Sequence, residues 1–141
     1  MSNVEDCDFC DRTNFGQRVI RTGDLFTSFV SRPWFRSGHC LVIPNEHREE
    51  IADMNSDEMS SILAEVGRLC LKLNEGYGTG MTQKYQPLQT ENGIKINHLH
   101  FHVFPRLKHE VGLFPVPVPN SFEGFVIPSD DEVFAVRNRV G

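Results

Sequence analysis

The chain has 141 residues, 39% of them hydrophobic and 23% charged, and a net charge of −5. That length suits one domain over residues 1–141 with a core of its own, and the acidic balance argues against a general nucleic-acid binder. A phosphorylated small molecule is not excluded, because it needs only local positive groups. No run approaches 18 apolar residues, and the acidic start MSNVEDCDFC lacks the basic and then apolar order of a secretory signal. The expected setting is therefore cytoplasmic, away from membranes, with the four cysteines as thiols.

Residues 17–22 and 25–32 read as a hairpin around Gly23-Asp24, a favoured turn pair. After Pro33 and a loop, residues 39–44 form a short buried strand that Pro44 ends. The clearest helix follows. Asn55 caps it and Glu58, three residues on, makes the reciprocal capping box. Met59, Ile62, Leu63, Val66, Leu69, Cys70 and Leu73 then recur at helical spacing until Gly76 stops the run. Residues 81–88 read as a strand, Glu91-Asn92-Gly93 as a turn and residues 94–104 as another strand. Residues 114–119 alternate apolar residues with proline and are extended and stiff; a surface loop is the default, a pocket cover or dimer contact the alternatives. A short C-terminal helix begins after Ser129, with Asp130, Asp131 and Glu132 near its positive end. The order predicts an α+β domain: a mainly antiparallel sheet, one long amphipathic helix and a short C-terminal helix.

Two constellations carry chemistry. His98, His100 and His102 alternate with Leu99, Phe101 and Val103. On a strand, three alternate imidazoles leave one face about 6.6 Å apart, opposite an apolar face. A neutral imidazole is a nucleophile near pH 7 and a good leaving group, provided one nitrogen keeps its lone pair and the other is held as a donor. The second constellation is Cys7-Asp8-Phe9-Cys10, half of a zinc site by spacing. Unligated surface cysteines and redox chemistry are the competing readings, and acidic Asp6, Asp8 and Asp11 disfavour the thiolate that redox needs. Cys40 and Cys70 fall within apolar patterns and read as core thiols.

The run His98 to Pro105 and the upstream run Gly38 to His47, a Gly-His strand followed by Pro44-Asn45-Glu46-His47, resemble the two signatures of the histidine triad (HIT) family. They stand in the family's order with the long helix between them. The resemblance implies the HIT fold, a homodimer, and a hydrolase of nucleotide phosphoanhydrides or phosphoramidates. His100 is then the nucleophile at the α-phosphorus. His102 bonds the transferred phosphoryl group or aids the leaving group, and His39 completes the polar cluster; the plainer reading of His39 is a buried strand histidine. The third histidine points to hydrolysis, since transferase branches typically carry glutamine there. Zinc-bearing relatives imply a structural Cys2His2 site of Cys7, Cys10, His47 and His98. Phe9 matches an apolar residue of the base pocket, with plain hydrophobic packing as the alternative, and Gln86 or Gln89 matches an amide that contacts phosphate. Arg106, Lys108 and His109 follow the triad, where they face either phosphate or solvent.

Two departures bear on the substrate. Ile94 and Lys95 replace an amide and a hydroxyl that handle the leaving group, so Lys95 either meets a polyphosphate or points to solvent. Val30 and Ser31 stand where relatives carry an acid for the ribose hydroxyls. The alternatives to a nucleotide or dinucleoside polyphosphate hydrolase are a nucleotidyltransferase or phosphorylase, and a nucleotide-binding regulatory module with little turnover.

Overall fold

The computed structural model describes residues 7–77, 81–86, 98–106 and 125–141. Its elements are β1 (Val19–Thr22), β2 (Phe26–Val30), β3 (Cys40–Pro44), α1 (Ser56–Tyr77), β4 (Met81–Gln86), β5 (His100–Pro105) and α2 (Asp130–Val140). The five strands form one antiparallel sheet in the order β1-β2-β3-β5-β4. The expected α+β architecture is therefore observed. Among the described residues, no helix is long and apolar enough to cross a membrane, and none of the four cysteines is in a disulfide.

The β1–β2 hairpin closes at Gly23, whose N–H donates to the Phe26 carbonyl at 2.9 Å. A Cβ at Gly23 would lie too close to a Phe26 ring carbon, so a larger residue there would have to displace that ring. The first strand is shorter than expected. Residues Arg12–Arg18 form 3-10 turns capped by Asp11, which accepts from the Thr13 N–H, and break at Gly16 with φ 53°. Gln17 and Arg18 thus belong to a turn that local side-chain bonding favours over a strand.

Strand alternation sorts the core into two clusters. Val30, Cys40, Val42, Phe101 and Val103 pack beneath α1 and α2, against Ile62, Val66, Leu69, Leu73, Val133, Val136 and Val140. Each fully buried Ile or Leu there contributes about 1.5–3 kcal/mol. The opposite face carries Phe29, Leu41 and Ile43, covered by Phe9 and Phe15. Leu63, expected in the helical stripe, is 59% exposed and lies outside both clusters.

Both helices begin as the sequence predicts. Asn55 Oδ1 accepts from the Glu58 N–H at 2.9 Å while Glu58 Oε1 accepts from the Asn55 N–H at 3.0 Å. Ser129 and Glu132 form the equivalent box at α2. Glu65, buried on α1, accepts two bonds from Arg68 at 2.8 Å and one from the Ser28 hydroxyl at 2.6 Å. Burial acts to raise its pKa, but these donors outweigh it and hold the carboxyl below its ordinary range. Arg68 also donates to the Val140 carbonyl, so this network ties β2, α1 and α2 together.

Glu58 has a second task. Its carboxylate, 1% exposed, takes the Arg48 guanidinium at 3.1–3.2 Å. Removing one partner of a buried pair strands the other charge, so Glu58→Ala should cost about 3 kcal/mol in urea unfolding. A loss below about 1 kcal/mol would show that the pair does not hold this corner of the fold.

Candidate active site and metal centre

The triad is not laid out on one strand as its alternation predicts. β5 begins at His100, and His98 sits in the bend before it. The cause is Leu99, whose N–H donates to the Arg48 carbonyl at 2.6 Å. His100 and His102 follow on one face of β5, their ring centroids 5.0 Å apart, with His100 only 4% exposed and His102 half-buried. His100 also meets the edge of Phe9 at 5.5 Å.

The hydrogen bonds fix where each ring carries its proton. His100 Nδ1 lies 2.6 Å from the His98 carbonyl, which can only accept, so Nδ1 is the donor and the lone pair is on Nε2. His39 Nδ1 accepts from the Phe35 N–H at 2.8 Å. Burial, with His100 and Arg36 nearby, pulls its pKa down to about 3, so the ring is neutral with its proton on Nε2. That Nε2 donates to His102 Nδ1 at 2.8 Å. A neutral His102 in this arrangement carries its proton on Nε2. One loop N–H thus sets the tautomer of two histidines in series.

This burial has a pH consequence. Between about pH 3 and 6.5, unfolding lets His39 take up a proton that the folded state refuses, so stability rises with pH across that window and is fully present above it. At pH 5 the loss from His39 alone should be about 2 kcal/mol. Urea midpoints at pH 5 and 7.5 check this: His39→Asn should flatten the difference, and an unchanged slope would remove His39 as its source.

A second cluster forms beside the first. Ligand atoms of Cys7, Cys10, His47 and His98 lie within 4.8 Å of one another. His98 Nδ1 is 3.4 Å from Cys7 Sγ and 3.5 Å from Cys10 Sγ, and His47 Nδ1 is 3.3 Å from Cys10 Sγ. The far nitrogens are both committed as donors, His98 Nε2 to the Pro44 carbonyl at 2.8 Å and His47 Nε2 to Glu49 at 3.2 Å. Two Nδ1 lone pairs therefore converge on two sulfurs. Burial, chiefly, lowers the His98 pKa to about 4, which keeps that ring neutral. Such a set, oriented by a carbonyl and a carboxylate, suits a tetrahedral metal ion. The same His98 supplies a ring to this cluster and a carbonyl to His100.

Phe9 fills the aromatic cluster between the two groups, 6.0 Å from His98 and 5.5 Å from His100. Gln86 lies opposite His100 in the β4–β5 ladder. Arg106 is half-buried immediately after β5. Gln89, Ile94, Lys95, Lys108, His109, the turn at residues 91–93 and the proline-rich run 114–119 lie outside the described residues. Val30 is fully buried and the Ser31 hydroxyl turns inward to the Pro33 carbonyl at 2.8 Å. Sequence reasoning missed Phe35 and Arg48, which act through main-chain atoms, and Arg36, stacked on Phe35 and donating to the Pro105 carbonyl. It also missed Glu49, although a carboxylate two residues from a candidate ligand is a readable signal for a supporting acceptor.

The HIT domain family matches residues 12–109. Adenosine 5′-monophosphoramidase of Schizosaccharomyces pombe is 32% identical over 112 residues, 76% of this chain and 79% of that protein. An uncharacterized HIT-like protein of Borreliella burgdorferi is 28% identical over 110 residues, 74% of this chain and 78% of that one. Among solved structures, a HIT-like protein from Bartonella henselae superposes with a TM-score of 0.75 at 17% identity, covering 99% of this chain and 97% of its own. A zinc-bound histidine triad family protein from Mycobacterium smegmatis gives 0.68 at 19% identity, covering 96% and 93%. Plasmodium falciparum diadenosine triphosphate hydrolase gives 0.68 at 18%, covering 89% and 74%. The structural likenesses speak for the fold.

Proposed function

The chain belongs to the HIT family, and from that premise we propose that it hydrolyses nucleotide phosphoramidates or phosphoanhydrides at the α-phosphorus through a nucleotidyl group carried on His100. The observation that carries this reading is the 2.6 Å contact from His100 Nδ1 to the His98 carbonyl. It leaves Nε2 as the nitrogen that keeps the lone pair, and it offsets the positive charge that the ring acquires once Nε2 bonds phosphorus. As that bond forms, the bond from phosphorus to the leaving nitrogen or oxygen breaks with its electron pair, and the departing group takes a proton from water. A water molecule then attacks phosphorus, releases the mononucleotide and its proton, and returns His100 to the neutral state. His102 contributes its Nε2–H as a donor to the non-bridging phosphoryl oxygens, fixed in that role by His39. The phosphoramidase among the sequence relatives favours an amine as the leaving group.

Zinc belongs to the same reading. Held by Cys7, Cys10, His47 and His98 it would be four-coordinate and purely structural, fastening the N-terminal segment to the turn before β5. A cytoplasmic homodimer is the expected state. β4 is an outer strand of the sheet, and a second copy would cover that edge. Sedimentation tests the dimer. The activity is tested by turnover of adenosine 5′-phosphoramidate and dinucleoside polyphosphates, with mass spectrometry of the products. Products carrying added phosphate or sugar phosphate would mean a transferase. Tight nucleotide binding without turnover would mean a regulatory module.

A further inference from the structure

A cleft of about 410 Å³ opens where the 3-10 turns meet the start of α2, lined by Asn14, Phe15, Gln17, Arg18, Arg32 and Asp130 among others. Two guanidinium groups face it in a chain whose net charge is −5. Arg18 is anchored: it donates to the Val30 carbonyl at 3.2 Å and the Asn14 carbonyl at 3.3 Å, and lies 5.6 and 5.4 Å from the centroids of Phe15 and Phe29. Arg32 reaches Asp130 at 3.6 Å, but that pair is weak, with the two side chains 43% and 82% exposed. Burial and the charge of Arg32 both act against the charge on Arg18. An anion between the two cations would offset that, and the Gln17 amide in the lining adds a neutral donor, while the Asn14 amide already donates to the Asp8 carbonyl at 3.1 Å.

The cleft is not remote from the histidines. Phe15, in its wall, touches Phe9 at 5.8 Å, and Phe9 touches His100 at 5.5 Å. Two aromatic steps fall within the span of one nucleotide. Resting on the hydrolase reading above, we propose that this cleft receives a second phosphate group, carried on the ribose of a nucleotide whose α-phosphorus lies at His100. Paired arginines suit a phosphate because each presents a planar fork of donors to its oxygens. The opposing element is Asp130, whose carboxylate competes for Arg32 and repels the ligand.

Calorimetry on the full chain at low salt tests this with three probes: AMP, adenosine 3′,5′-bisphosphate and inorganic phosphate. The bisphosphate should bind at least tenfold more tightly than AMP, and rising salt should erode that ratio. Arg32→Gln should bring the ratio to about one. Asp130→Asn should increase it, a gain that misfolding would not produce. A bisphosphate that binds no better than AMP overturns the inference and leaves the hydrolase reading standing. Inorganic phosphate binding as tightly as the bisphosphate, and equally dependent on Arg32, overturns the assignment to a nucleotide. Absence of turnover with a persisting tenfold preference would remove the hydrolase and leave the cleft as proposed.

Discussion

His100→Asn should lower turnover of adenosine 5′-phosphoramidate by about 10⁴-fold or more, because it removes the atom that bonds phosphorus while leaving the rest of the site in place. Asparagine is the informative replacement. Its amide can still donate to the His98 carbonyl, the contact that His100 Nδ1 makes at 2.6 Å. The unfolding temperature and the affinity for AMP should therefore change little. Quenching the wild-type protein during turnover in alkaline denaturant, which spares the acid-labile phosphorus–nitrogen bond, should trap a nucleotidyl adduct on His100 and on no other histidine. His102→Asn should act differently, lowering the rate less steeply, because a donor to phosphoryl oxygen is lost but the nucleophile remains. Turnover within tenfold of wild type in His100→Asn would end the covalent mechanism.

Local signals in the sequence reach the structure nearly intact. The Asn55–Glu58 capping box forms as the spacing predicts, and the second helix starts after Ser129 as expected, where the structure adds a like box with Glu132; each partner lies three residues from the other and needs no tertiary context. Alternation also places His100 and His102 together, since strand geometry alone sends both to the face opposite Phe101 and Val103. The same reasoning fails at His98. Its position depends on the Leu99 N–H meeting a carbonyl at residue 48, a contact across about a third of the chain that no period records.

The tautomers were equally hidden from the sequence. Phe35 and Arg48 serve the histidines through main-chain atoms, which residue type does not reveal. Leu63 shows the opposite error. It fits the helical stripe but lies outside both core clusters, and the helix leaves it in solvent. The Cys7 and Cys10 pair was legible only as half of a cluster, whose other half, His47 and His98, the family resemblance implied and the fold brings within 4.8 Å.

That cluster gives the other large expected effect. Purified protein should carry about one zinc per chain, with sulfur ligands near 2.3 Å and nitrogen ligands near 2.0–2.1 Å by X-ray absorption. Without metal, burial and the neighbouring Cys10 push the Cys7 thiol up to about 11, so metal capture must expel at least that proton, and affinity should fall as pH falls. Cys7→Ser should lose the metal and about 3 kcal/mol of stability, or roughly 10 °C in Tm. Cys70→Ser, on α1, should keep the metal. The loss should also reach the nucleophile, because the residue that offers its ring to the metal offers its carbonyl to His100. In the metal-free protein the His100 ring should lose its single tautomer, read by imidazole nitrogen shifts in NMR, and kcat should fall more than KM changes. A Cys7→Ser protein that retains one metal per chain and its full Tm would refute the site.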